Sequence, residues 1–146
     1  MTDSNQTEEN ANASEALPIS QRPASNAPGH WVLARVGKRV LRPGGLELTL
    51  QMLSNARLTG ARVVEFAPGL GRTATEILAA RPASYTGIEK DPVAAKQVAE
   101  LVGARGTVVN ADAAETGLDA GSADVVVGEA MLTMQGEKAK RAIISE

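Results

Sequence analysis

Apolar positions along this chain change period several times, and each change marks an element. Val32, Val36 and Val40, with Leu33, recur at helical spacing and predict a short helix over 30–41. Arg42-Pro43-Gly44-Gly45 breaks it. Leu46, Leu50 and Leu53 then fall at i, i+4 and i+7, the apolar stripe of an amphipathic helix running to about Arg57. Thr59-Gly60 closes that segment. Residues 61–66 read as a strand with Val63, Val64 and Phe66 as its apolar body. A helix is predicted from near Gly71, with Ala74, Ile77 and Leu78 buried and Pro82 as its stop. Ser84 to Ile88 form a second strand. Asp91 is placed as an N-cap and Pro92 as the first helical residue of a segment carrying Ala94, Val98, Leu101 and Val102, with Gly103 ending it. Gly106 to Asn110 form a third strand, Ala111 to Glu115 a turn, and Ala123 to Gly128 a fourth strand. Glu137 to Ser145 are helical, with Ala139, Ala142 and Ile143 on one face.

Strand and helix therefore alternate with short connections. The strands are continuously apolar rather than alternating, the pattern of a parallel sheet buried on both faces. Right-handed crossovers turn that pattern into an α/β fold, a doubly wound Rossmann-like parallel sheet with strand order 3-2-1-4. Ligands of such sheets bind at the carboxyl ends of the strands. Glu65, Glu89, Asp112 and Glu129 lie at or just beyond those ends.

Composition narrows the picture. The chain has 146 residues, room for one domain. Residues 1–28 are rich in Thr, Asn, Ser, Ala and Glu, with Pro18, Pro23 and Pro28, and are expected to form a disordered acidic tail. Residues 29–146 remain to build the domain. One Phe, one Tyr and one Trp make an aromatic cage or base-stacking platform a poor expectation. Net charge is −2, and the densest basic stretch (Arg35, Lys38, Arg39, Arg42) reads as a solvated helix face, so no nucleic-acid partner is expected. The absence of cysteine excludes disulfides and thiolate metal sites, and a lone His30 forms no metal constellation. No membrane partner is expected from a chain without a long apolar run or a signal-like start, and the expected location is cytoplasmic.

The chemistry concentrates in Glu65-Phe66-Ala67-Pro68-Gly69-Leu70-Gly71. Gly69 to Ala74 fits G-x-G-x-x-[GA], and Glu89 lies 18 residues beyond Gly71, which is near the spacing of a dinucleotide fingerprint. Three features oppose a dinucleotide. Glu65 ends the strand beside the position of a pyrophosphate, where repulsion reaches several kcal/mol at an effective dielectric of ~20. Pro68 removes an N–H from the turn. Asp112 follows the third strand, where it can accept from an exocyclic amine. A cofactor with adenine and ribose, no phosphate, and two positive groups suits acid-lined strand ends better. S-adenosylmethionine is such a cofactor.

These residues resemble the class I S-adenosylmethionine-dependent methyltransferases. Glu65 to Gly71 is similar to that family's first motif. Tyr85-Thr86-Gly87-Ile88-Glu89 is similar to its second-strand motif, and Asn110-Ala111-Asp112-Ala113 to the segment that meets adenine. Gly121-Ser122-Ala123-Asp124-Val125 resembles the approach to its fourth strand. Arg42-Pro43-Gly44-Gly45 before a helix resembles small-molecule methyltransferases of the ubiquinone and menaquinone type. The resemblance implies cofactor-binding roles by position. Gly69 and Gly71 admit backbone to the methionine portion, and Ala67 stands where the family usually has Gly. Glu65 binds the ammonium, Glu89 the ribose hydroxyls, Asp112 the adenine amine, and Ala113 the adenine ring. Glu129 lies where sulfonium and acceptor meet, with an exposed loop acid as its plainer reading. For Asp112 the plainer reading is an N-cap, and for Glu89 a capping acid ahead of Asp91-Pro92. No catalytic residue is assigned.

The implied activity is methyl transfer to a small-molecule acceptor by in-line displacement. The family sheet has seven strands and four are predicted here, so the chain reads as a C-terminally truncated, cofactor-binding part of such a domain. Two alternatives stand beside this reading. One is a non-catalytic cofactor-binding module that pairs with another chain through the strand-four edge. The other is an NAD-binding Rossmann domain.

Overall fold

The computed structural model describes residues 44–146. The tail expected over 1–28 and the helix expected over 30–41 lie outside the described residues. The chain runs α1 (Gly45–Asn55), β1 (Arg62–Phe66), α2 (Arg72–Ala79), β2 (Ser84–Ile88), α3 (Pro92–Val102), β3 (Thr107–Val109), β4 (Val125–Gly128) and α4 (Glu137–Ser145), with short 3₁₀ turns at Gly103–Arg105 and Leu132–Met134. All strand pairs are parallel, and the order is β3-β2-β1-β4, as the sequence predicts.

The order follows from the connections. Each right-handed crossover from β1 through α2 and from β2 through α3 steps one strand outward. The chain then returns to pair β4 on the other side of β1, with Val63 opposite Val125 and Glu65 opposite Val127. The direction of winding reverses between β1 and β4, and that reversal opens a crevice above β1.

Local chemistry fixes the helix ends. Asp91 caps α3 by accepting from the N–H groups of Val93 and Ala94, both at 2.9 Å, with Pro92 at the first turn. Gly71, at φ 76°, opens α2.

Parallel neighbours share a face, so Val63, Tyr85 and Val127 point to one side with Glu65. There they join Leu53 of α1, Ile77 and Leu78 of α2, and Val98 and Val102 of α3 in the main core. The opposite face is covered by less: Ala113, Met131 and Ile143 of α4 form a small cluster with Phe66, Ala114 and Leu132 beside it. Val126 on that face is 55 % exposed. Burial on both faces, expected from the apolar strands, is thus realised on one face and only in part on the other among the described residues. A second expectation is also corrected. Leu50 does not face the core but is 44 % exposed, whereas Thr49 and Leu53 are buried. Thr49 turns inward because its hydroxyl finds polar partners there, which rotates the helix away from the stripe that leucine spacing alone suggests.

Three strands are shorter than predicted: β1 by Ala61 alone, β3 and β4 by two residues each. Ala123 and Asp124 lie outside β4 because Asp124 acts as a staple. Its carboxylate accepts from the Arg62 backbone N–H at 2.8 Å and from the Arg62 guanidinium at 2.7 and 3.0 Å. β3 lacks Gly106 and Asn110. The Asn110 side chain instead donates to the Glu89 and Lys90 carbonyls at 2.8 and 3.0 Å.

Candidate functional site

The crevice is built around the turn that links β1 to α2. Phe66 ends the strand, and Ala67 takes φ 54°, left-handed for a residue with a side chain. Its N–H still donates to the Ile88 carbonyl at 2.8 Å, so β2 holds the turn at its base. A non-glycine residue here costs about 1–2 kcal/mol, and the neighbouring strand offsets it. Gly69 and Gly71 are both left-handed but serve different ends. A Cβ on Gly69 meets nothing nearer than the Ala67 carbonyl oxygen at 3.9 Å, so the outer side of the loop is open there. A Cβ on Gly71 strikes Leu101 Cδ2 at 2.5 Å. Gly71 thus lies close against the Leu101 side chain of α3, and its left-handed φ is what favours glycine there, whereas Gly69 leaves room on the outer side of the loop.

Glu65 is 3 % exposed and accepts from the Tyr85 hydroxyl at 2.7 Å. The register explains this contact. Glu65 pairs with Gly87, whose missing side chain leaves room; a Cβ there would stand 3.1 Å from the Tyr85 hydroxyl. Burial pushes the Tyr85 phenol far above its usual value, and the charges of Glu65 and then Glu89 push it further. The phenol remains a hydrogen-bond donor to the carboxylate.

Glu89 follows β2 and is 5 % exposed. One carboxylate oxygen accepts from the Gly69 N–H at 3.0 Å, the other from the Asp91 N–H at 2.9 Å. It thereby ties the glycine loop to the start of α3. Burial raises its pKa above the usual carboxylate value, opposed by the N–H groups of Asp91 and Gly69. The capping role and the location beside the open face of the loop coexist.

Asp112 lies farther out, beyond β3. Its Oδ1 accepts from the Ala114 N–H at 2.9 Å and its Oδ2 pairs with Lys90 Nζ at 2.7 Å, which hold its pKa below the usual value. Ala113 is buried, packed with Met131 and Ile143 in the smaller cluster. Glu129, beyond β4, is not an exposed loop acid. It is half-buried: Thr49 of α1 donates to Oε1, and Thr73 of α2 donates to Oε2 at 2.8 Å.

The strand ends thus bring Glu65, Glu89 and Glu129 around one turn, while Asp112 stands at the rim. Sequence reading missed Tyr85, Thr49 and Thr73. Thr49 had one visible signal: a polar residue four positions before Leu53, on what became the buried side of α1. Among the described residues no cluster of His, Cys, Asp or Glu is suited to a metal ion, and no helix is long and apolar enough to cross a membrane.

Comparison with known proteins identifies the family and the fold. A methyltransferase domain family matches residues 64–145, from the middle of β1 through α4. The chain belongs to the class I S-adenosylmethionine-dependent methyltransferases. An uncharacterized protein of Haemophilus influenzae is 33 % identical over 129 residues, covering 84 % of this chain and 51 % of that one. A methyltransferase from Thiobacillus denitrificans, solved with S-adenosyl-L-homocysteine, superimposes with a TM-score of 0.60 at 19 % identity, over 82 % of this chain and 50 % of its own. Magnesium protoporphyrin IX methyltransferase from Synechocystis, solved with bound S-adenosylmethionine, gives 0.55 at 17 % identity, over 68 % and 49 %. A putative RNA methyltransferase from Pyrococcus horikoshii gives 0.55 at 20 % identity, over 68 % and 49 %. At these identities the solved structures establish the fold. The chain spans about half the length of the relatives it matches.

Proposed function

We propose that residues 29–146 form the cofactor-binding part of a methyltransferase that moves a methyl group from S-adenosylmethionine to a small-molecule acceptor. The observation that carries this reading is the convergence of Glu65, Glu89 and Glu129 on the Ala67–Gly71 turn. Three carboxylates in one crevice disfavour a pyrophosphate and favour a cationic ligand. The residues fit the cofactor. Gly69 leaves the loop open on its outer side, Glu89 offers carboxylate oxygens to ribose hydroxyls there, and Glu65 supplies negative charge beneath the turn for an ammonium group. Ala67, Gly71 and Ala113 shape the walls, and Asp112 at the rim can accept from an adenine amine while retaining Lys90.

Bound S-adenosylmethionine supplies an electrophilic methyl on a sulfonium, so the protein needs no metal to activate it. The chain's own residues hold the donor in line with an acceptor and exclude water. A small-molecule acceptor is favoured over RNA because the crevice is acidic and the whole chain carries a net charge of −2. Pairing through the β4 edge, to which the described residues add no further strand, is the route by which a second chain or a further segment completes the sheet.

Calorimetric titration of the full chain with S-adenosylmethionine, S-adenosyl-L-homocysteine and NAD tests the reading. Binding of both adenosyl ligands is expected, with at least about tenfold weaker binding in Glu89→Ala, the order of one lost charged hydrogen-bond pair. Binding of NAD alone overturns the methyltransferase reading. A Glu89→Ala chain that binds as tightly as the parent overturns the ribose assignment.

A further inference from the structure

Thr49 and Thr73 come from different helices and meet on one carboxylate. Thr49 is fully buried in α1, and its hydroxyl donates to Glu129 across 80 residues of sequence. Thr73 is 6 % exposed in the first turn of α2, two residues beyond Gly71, and donates to the other oxygen of Glu129 at 2.8 Å. Both side chains are short and β-branched, so each has few rotamers to lose. A carboxylate gripped on both oxygens by such donors has its direction set.

The strand order tells where that charge acts. Glu89 lies on the β2 side of the turn and is tied to Gly69. Glu129 lies on the β4 side and is tied, through Thr73, to the residues that follow Gly71. The two acids therefore bracket the glycine turn from opposite flanks. A ligand laid over the turn with its ribose at Glu89 directs its other end toward the β4 flank. In S-adenosylmethionine that end carries the sulfonium.

We propose that Thr49 and Thr73 are positioning residues that hold Glu129 as the charge distinguishing the sulfonium donor from the neutral thioether product. The inference rests on the methyltransferase reading and deepens it. Transfer of the methyl group breaks the bond from sulfur to methyl and forms one from methyl to the acceptor, and the electron pair stays on sulfur. The positive charge on sulfur disappears. A fixed carboxylate on that flank attracts the donor and loses this attraction once the product forms, which favours exchange of product for fresh donor. Glu65, buried under the turn with Tyr85, and Asp112, paired with Lys90 at the rim, act on parts of the ligand that are the same before and after transfer.

The experiment measures affinity for S-adenosylmethionine and for S-adenosyl-L-homocysteine in the full chain and in Glu129→Gln, Thr49→Val and Thr49→Ser, with thermal unfolding recorded beside each. Glu129→Gln is expected to weaken the sulfonium ligand about tenfold more than the thioether, the order of one unit charge across a partly solvated contact. Thr49→Val, which keeps the shape but not the hydroxyl, is expected to lower the same ratio about threefold, and Thr49→Ser to restore it. Equal weakening of both ligands in Glu129→Gln overturns the proposal and leaves the methyltransferase reading intact, as does an unchanged ratio in a folded Thr49→Val chain. Failure of the unmutated chain to bind either ligand overturns the reading and the proposal together. If Thr49→Val does not fold, the Glu129→Gln ratio decides alone.

Discussion

The two faces of the sheet differ in how they are held. On one, α1, α2 and α3 close over Val63, Tyr85 and Val127, and Ile77, Ala74 and Ala94 have no exposed surface. On the other, α4 contributes Ile143 to a cluster of three buried residues, and a cleft of about 190 Å³ opens between Val64, Phe66, Leu118, Val126 and Glu146. The carboxylates follow the same division. Glu89, buried between the glycine loop and the start of α3, has its pKa raised by burial. Glu146, exposed on the second face, accepts from the Thr116 hydroxyl and N–H at 2.7 and 2.9 Å and has its pKa lowered. Stability and the candidate site belong to the three-helix face. The thinner face is where additional structure has most apolar surface left to cover.

The largest effect that tests this contrast is a pair of truncations. Ile77→Ala should cost about 3–5 kcal/mol and Ile143→Ala about 2 kcal/mol or less, since a cavity under three helices collapses less readily than one at a thin edge. Urea unfolding of both variants checks it. Equal costs would show that the second face is as well packed as the first.

A smaller effect is expected from Tyr85→Phe. It leaves the Glu65 carboxylate in place and removes a donor that reaches it at 2.7 Å. The expected loss is about 1–3 kcal/mol, the usual cost of withdrawing one partner from a buried charged group. A loss under 0.5 kcal/mol, roughly the scatter of surface substitutions, would mean that other contacts satisfy Glu65.

The smallest effect is a slope. For Glu89 the folded pKa is above the unfolded value, so the folded chain binds more protons in the window between the usual 4.5 and the raised value. Stability contributed by this group is therefore lost as pH rises through that window. Glu146 has the opposite sign: its contribution is present above the usual carboxylate range and is lost as pH falls through the lowered value. Urea midpoints measured from pH 4.5 upward should fall less steeply in Glu89→Gln than in the parent chain. An identical slope would remove Glu89 from the list of buried charges.

Much of the fold was legible because its signals are local. The Asp91-Pro92 cap, the stop at Gly103 and the apolar strands each depend on a few consecutive residues. The strand order was legible for a different reason: short right-handed crossovers allow few arrangements. The acids at the strand ends were visible because chain direction in a parallel sheet puts every such end on one edge. Which of these acids come together, and what each one grips, was not visible. Leucine spacing pointed Leu50 inward, but a hydroxyl-carboxylate contact across 80 residues pointed Thr49 inward instead.

Sequence by itself determined the elements, their order in the sheet and the edge on which the strand-end acids gather, since propensity, capping and handedness act over short spans. Tertiary structure decided that Gly69 leaves the turn open while Gly71 lies against Leu101 of α3. It also decided that Tyr85 reaches Glu65 over Gly87, and that two threonines orient Glu129. Those outcomes depend on distances between strands and helices that meet only when the sheet has formed, and no local spacing in the chain encodes them.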